Sequence, residues 1–338
     1  MTIRKKMILI VLACAILPMC FVGTLGYFHA RKTLESLRME QLRGIADVKI
    51  KRIEDFFDEQ KKHIMIAQQR PTLKRNASIL AAFAGDFSGP VYGTIRDELD
   101  RALTTYQPVY DYKNVLLTNP EGKIVYRLSR SSAAPPLGHS LSDFLGRSFN
   151  EDKNEIHYAS SFAEKNGISR FSVFLTAPIR SVEERFVGMA AFEIDMASIY
   201  ELILDTTGLG ETGETFIAKK AGNQAVFLNP LRHDPDAALK RKVVYGEKQA
   251  IPVQEALKGS SGFGISVDYR GREVLAAWRY IPSLDWAMVA KIDIFEAFEP
   301  VTELRNFVLV IAGAVIVLSL FVAIFVAKSI SDPIQFRP

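Results

Sequence analysis

Trp286-Ala-Met-Val-Ala-Lys-Ile292 has the alternation of a strand and passes Asp293 straight into helical spacing at Phe295, Phe298 and Leu304. An uncharged apolar run from Phe307 to Ala327 follows. About 21 residues rising 1.5 Å each cover roughly 31 Å, the thickness of a bilayer's hydrocarbon core. A buried core helix is the competing reading. It fails because such helices are shorter and rarely free of polar residues on every face. Lys328 closes the run and Ser329-Ile-Ser-Asp-Pro333-Ile334 follows. A strand feeding a membrane-length helix has the form of an output rod.

At the other end, Met7 to Phe28 is a second apolar run behind Arg4-Lys5-Lys6. It is too long for a signal-peptide core and lacks a small-x-small cleavage site. Val11-Leu-Ala-Cys14 is only a faint lipoprotein box, which a second span makes redundant, and membrane helices accept a proline such as Pro18. The chain has 338 residues, 48% hydrophobic and 24% charged, with net charge +4, but these averages hide two apolar ends around an ordinary globular centre. Arg4, Lys5 and Lys6 stand against Arg31, Lys32, Arg38 and Arg43, so the positive-inside balance is nearly even. Lys328 and Arg337 against Arg305 tilt it toward both ends cytoplasmic. Cys14 and Cys20 both lie in the first run, so the centre can build no disulfide or thiolate zinc site. Unclustered charge speaks against nucleic acid. His233 beside Asp234 and His157 near Glu155 have no metal-ligand spacing, and no cofactor motif is present, so neither metal nor cofactor is expected.

The centre begins with helical spacing from Ala30 to Gln69, ended by Pro71, as a continuation of the first span. Shorter helices are expected over Thr72–Ala84 and Val91–Thr105. Then come a hairpin (Asn114–Thr118, Lys123–Leu128), a short helix around Ser142–Phe149, strands Ile156–Phe162, Ser169–Ile179 and Phe186–Ile194, and a helix over Met196–Leu204. The same order repeats. A second hairpin (Glu214–Ala218, Gln224–Leu228) leads to helices near Ala237–Arg241 and Val253–Lys258, then to strands Gly262–Tyr269, Arg272–Tyr280 and Trp286–Ile292. Glu193-Ile-Asp195 in the first copy matches Lys291-Ile-Asp293 in the second. Two five-stranded antiparallel sheets with helices on one face are the simplest account.

Gly208-Leu-Gly-Glu-Thr-Gly-Glu-Thr-Phe216, with Trp286, Lys291-Ile-Asp293 and Glu296-Ala-Phe298, resembles the membrane-proximal module of double Cache domains. These are tandem PAS-like extracytoplasmic sensors of bacterial receptors. The resemblance runs from about Ala30 to Glu299. Gly208, Gly210 and Gly213 are expected to supply positive φ values that turn a helix into a strand. The motif is no phosphate loop, because no strand precedes it and no helix with Lys-Ser/Thr follows. Ala327 to Ile334 resembles the opening of a HAMP linker, although the Leu expected after Pro-Ile is replaced by Gln335-Phe-Arg-Pro338. The sequence thus resembles the input half of a receptor cut before any transmitter.

The expected fold is α+β, a long N-terminal helix with two tandem PAS-like antiparallel-sheet modules between two transmembrane helices. Residues 1–6 form a cytoplasmic N-terminus, 7–28 the first span, 29–113 the stalk and helical segments, and 114–205 the distal module. Residues 206–300 form the proximal module, 301–327 the second span and 328–338 the start of a HAMP-like linker. The resemblance implies a bacterial inner-membrane protein with its centre outside the cytoplasm, a homodimer, and a small-molecule ligand such as an organic acid, amine or amino acid in the distal module. Its transmitter would be a histidine kinase, cyclic-dinucleotide enzyme or chemoreceptor. The alternative is a two-span periplasmic scaffold or polysaccharide chain-length regulator, which predicts a long coiled coil in place of paired hairpins. Catalysis is not expected, since the sequence shows no Ser-His-Asp order, paired carboxylates or HExxH.

Glu193 stands where amine-binding members of the family carry an Asp, but their Arg-x-Trp-Tyr motif is not found between Ser140 and Phe162. Otherwise Glu193 is a strand-edge carboxylate paired with Arg127 or with solvent. Alternation puts Val187, Met189, Ala191 and Glu193 on one face and Gly188, Ala190, Phe192 and Ile194 on the other. It also separates Val125, Arg127 and Ser129 from Ile124, Tyr126 and Leu128. Tyr126, Arg127, Tyr158 and Phe171 join Glu193 as candidate ligand contacts. Asp293 as helix N-cap, Pro300 as the site of a break, and Pro333 are the candidate coupling residues.

Overall fold

The computed structural model describes residues 3–82, 86–104, 112–129, 135–146, 152–165 and 168–334. In chain order the helices and strands are α1 (Ile3–Gln68), α2 (Pro71–Ala81), α3 (Pro90–Thr104), β1 (Tyr112–Thr118), β2 (Ile124–Ser129), α4 (Leu141–Leu145), β3 (His157–Lys165), β4 (Ile168–Arg180), β5 (Phe186–Ile194) and α5 (Ala197–Leu204). The second half adds β6 (Glu214–Ala221), β7 (Gln224–Phe227), β8 (Lys242–Val244), α6 (Ile251–Leu257), β9 (Gly262–Val267), β10 (Glu273–Ile281), β11 (Trp286–Asp293), α7 (Ile294–Ala297) and α8 (Glu299–Ile334). The expected ends of the helices at Ala84, Thr105 and Phe149, and the HAMP-like residues 335–338, lie outside the described residues.

Two antiparallel sheets, in strand order β2-β1-β5-β4-β3 and β8-β7-β6-β11-β10-β9, repeat one topology. The second has six strands, one more than expected. Ala237–Arg241 forms turns instead of a helix and delivers Lys242–Val244 as an extra edge strand on β7. Three residues are too few to leave a periodic signal.

α1 is one continuous helix of 66 residues, roughly 99 Å at 1.5 Å per residue. Its lower half backs the second sheet with Met39, Leu42 and Ala46, which pack on Leu275, Ala277, Ala290 and Ile292. Higher up, Ile53, Phe57 and Ile64 enter a core that joins both sheets. Each of these fully buried side chains contributes about 1.5–3 kcal/mol. Trp286 sits at the junction, its ring edge-on to Phe57 and tilted against Phe171 of β4. On the opposite faces α4 and α6 cover the first and second sheets with separate cores.

The first part of α1 and α8 from Glu299 to Val326 are long and apolar enough to cross a membrane. Their side chains lack protein cover, Leu17 being 68% and Phe325 75% exposed. The two helices run side by side, and a Cβ at Gly23 would lie 3.7 Å from Val308.

A buried carboxylate on the first sheet and its counterpart on the second

The outer face of the first sheet carries Glu193, whose side chain is 4% exposed. Cross-strand pairing brings Asn114 of β1 and Phe174 of β4 opposite it. Three donors converge on its carboxylate. Arg170 Nη2 lies 2.9 Å from Oε1, Ser172 Oγ donates to the same oxygen over 2.6 Å, and Asn114 Nδ2 donates to Oε2. Ser129 Oγ in turn donates to Asn114 Oδ1 over 2.5 Å. Glu193 is therefore paired with Arg170, and neither with Arg127 nor with solvent alone as the sequence suggested.

Arg127 does share this face, through its pairing with Leu116. It is exposed, and its one hydrogen bond among the described residues runs 3.4 Å from Nη1 to the Pro135 carbonyl. Arg170 is 31% exposed and so meets both Glu193 and solvent. The arrangement presents guanidinium groups outward, while the carboxylate beneath has its oxygens already engaged. It can receive an anion directly, whereas an amine would first have to displace Arg170.

The other three candidates lie on the opposite, helix-facing side. The Tyr126 hydroxyl donates to Asp100 Oδ1 of α3 over 2.7 Å, and burial first, then Asp100, drives its pKa upward. The Tyr158 hydroxyl donates to the Phe57 carbonyl of α1 over 3.1 Å, and its phenol is pushed up to about 12, mainly by burial. Phe171 packs on Trp286 between the sheets. The expected alternation of β5 holds from Met189 to Ile194 but fails at Val187, which a register shift at Ile179/Arg180 turns to the inner core, and that of β2 fails as well. A register shift at Leu117/Thr118 moves Ile124 to the outer face beside Leu116 and Met189, leaving Tyr126 on the inner one.

In the second sheet the place of Glu193 is taken by Lys291, fully buried and opposite Glu214. Its Nζ lies 3.1 Å from Glu214 Oε1, 3.1 Å from Asp268 Oδ2 and 3.4 Å from Asp293 Oδ1. Arg270 bridges Asp268 and Asp293, and the Tyr269 hydroxyl donates to Glu214 Oε1 over 2.6 Å. Burial works against the Asp268 charge, yet Lys291 and Arg270 outweigh it and hold its pKa below the usual range. On the face of this sheet turned away from α1, the space is filled by its own charged side chains.

Asp293 occupies the N-cap position of α7, but its side chain makes no capping bond. Its carboxylate turns sideways to Arg270 and Lys291, because a buried cation outcompetes a first-turn amide. The expected break before Pro300 is present. α7 ends at Ala297 with Phe298 as its C-cap, and α8 starts at Glu299 with Pro300 in its first turn, where a missing N–H is tolerated. Pro333 falls in the last turn of α8.

Gly208 and Gly210 take φ of +78° and +73°. Gly213 differs from expectation, because space and not positive φ requires it: a Cβ there would lie 1.9 Å from the Leu209 carbonyl oxygen. Elsewhere, Asp152, Glu155 and His157 bring ligand-type atoms within 4.8 Å of one another at the surface.

The sequence model of the Cache domain family matches residues 30–301. Among solved structures, the periplasmic sensory domain of the Campylobacter jejuni chemoreceptor Tlp1 is similar at 16% identity and TM-score 0.52, over 79% of this chain and 99% of that one. The ligand-binding domain of the Campylobacter jejuni chemoreceptor Tlp3 in complex with L-norvaline is similar at 14% identity and TM-score 0.51, over 78% of this chain and 94% of that one. No curated protein sequence matches.

Proposed function

The chain belongs to the Cache domain family, and from that premise we propose that it is the non-catalytic input part of a membrane receptor. Its two sheets would lie outside the cytoplasm, between spans formed by α1 and α8, in the inner membrane of a bacterium. A homodimer suits this role. The two hairpin-based sheets are what the scaffold alternative does not predict.

The ligand is a small anion or zwitterion received on the outer face of the first sheet. One observation carries this reading: the two sheets share a topology, but one presents Arg170 over Glu193 with Arg127 exposed on the same face, while the other is sealed by Lys291. The Tlp3 domain holds L-norvaline, whose carboxylate is the kind of group Arg127 would meet.

Thermal-shift screening of the full chain in detergent, against organic acids, amines and amino acids, tests the reading. A ligand at a hundredfold its Kd adds about 2.7 kcal/mol of stability, and Arg127→Ala abolishes that gain. A ligand whose gain survives both Arg127→Ala and Glu193→Gln would remove the first sheet from the reading. Reporter fusions after Thr104 and at Pro338 test the topology. Finding both on one side of the membrane would overturn it.

A further inference from the structure

We propose that Glu296 is the positioning residue that ties the output helix directly to the connection between the two modules. Its carboxylate is seated in the loop of residues 208–213, which leads from α5 into β6. Backbone N–H groups of Glu211 and Thr212 donate to it over 2.6 and 2.7 Å, and the Thr212 hydroxyl donates as well. The same hydroxyl accepts from the Asp293 amide over 3.1 Å, so it grips α7 on both sides of its first residue. Gly210 is shaped for this guest, since a Cβ there would lie 2.1 Å from Glu296 Oε1. Loop, carboxylate and glycine fit as a nest around an anion that the chain itself supplies.

The loop is stiff and belongs as much to the first module as to the second. Arg232 Nη1 donates to the carbonyls of Gly210 and Gly213 over 3.0 and 2.7 Å. On its other side Gln41 of α1 donates to the Gly208 carbonyl. Upstream, Lys49 of α1 reaches the end of α5, its Nζ lying 3.4 Å from the Ile203 carbonyl and 2.9 Å from Thr215 Oγ1. A shift of the first sheet that moves α5 therefore moves the loop as a body, and Glu296 passes that movement to α7. The break at Phe298 lets α7 swing before α8 begins. This route reaches α7 from the loop and meets β11 at its last residue, Asp293, beside the sealed Lys291 cluster.

The proposal rests on the sensor reading for its purpose, but the contact is tested without a ligand. The full chain, with Cys14 and Cys20 replaced by Ser, is placed in nanodiscs with nitroxides at Leu204 and Leu304, both about half exposed. Pulsed electron resonance then reads the distance between the end of α5 and the start of α8. Native protein gives one narrow distribution. Glu296→Gln and Thr212→Val each at least double its width, and Thr212→Ser, which keeps the hydroxyl, restores it. Amide exchange across residues 286–292 of β11 stays as in the native chain, which separates lost positioning from general unfolding. An unchanged width in both Glu296→Gln and Thr212→Val overturns the proposal, as does a Thr212→Ser chain as broad as Thr212→Val. A chain that binds no ligand would still show the clasp. A chain without the clasp would still show the thermal shift proposed above.

Discussion

Glu193 and Lys291 occupy the same place in the two sheets and carry opposite charges. Each stands on the strand that pairs with the first hairpin of its module, with Asn114 opposite one and Glu214 opposite the other. Each is buried and faces away from α1. The difference lies in what reaches solvent: Arg170 above Glu193 is 31% exposed, while Lys291 and its carboxylates are 3% exposed or less. One copy of the fold keeps a guanidinium at the surface above its buried charge, and the other encloses its charge among its own side chains.

Lys291→Met is therefore expected to be severe. It leaves Glu214, Asp268 and Asp293 buried with Arg270 and, 3.9 Å from Asp293, the exposed Arg272 as the remaining cations, and removing one member of a buried ionic group costs about 3–5 kcal/mol. Thermal or urea unfolding in detergent measures it. A loss below about 1 kcal/mol would mean that water enters the cluster freely.

Glu193→Gln is expected to be milder, at about 1–2 kcal/mol, because Arg170, 31% exposed, keeps its access to solvent. The variant should also change ligand-induced stabilisation. The order of the two substitutions is the firmer expectation, and equal losses would contradict the open-versus-sealed distinction.

Acid should loosen the clasp and the sealed cluster together. Burial raises the Glu296 carboxyl, but the Thr212 hydroxyl, the two loop amides and Arg232 outweigh it, so its pKa lies below the ordinary 4.5. Asp268 likewise lies below 3.8. A depressed folded pKa gives stability that is complete above the unfolded value and lost as pH falls through the folded one. Melting temperature should thus be insensitive to these groups at neutral pH and decline below the ordinary carboxylate values. Glu296→Gln should shallow that decline. An identical acid limb in the variant would exclude Glu296 from it.

Pro300→Ala removes both the missing N–H and the ring that opposes a continuous α7–α8. Stability should change by no more than about 1 kcal/mol, while amides at 298–301 become more protected from exchange. Unaltered exchange there would place the cause of the break in the Glu296 clasp instead of the proline.

Much of the fold is legible in the chain because it rests on local patterns. The apolar runs, both hairpins and the bounds of Phe186–Ile194 follow from composition and alternation. What escapes is set by partners distant in sequence. Asp293 looks like an N-cap until Arg270 comes alongside. Arg170 reaches Glu193 only once β4 and β5 pair in register, and Ile124 changes face at a shift that no side chain announces. Glu296 lies in a helix of four residues, and only the bonds to a loop 84 and 85 positions earlier reveal its role.

The unbroken α1 has a further consequence. Both sheets hang on this one rod, whereas α8 follows the second sheet through α7 and its break and lies beside α1 without entering either sheet's core. If α1 and α8 span a bilayer as proposed, tilting of the whole molecule moves the two helices in common and reports nothing. On that reading, displacement of α8 against α1 is what would distinguish a bound sheet from an empty one. The receptor would carry its own reference line and read a difference, so thermal motion of the anchor drops out of the signal.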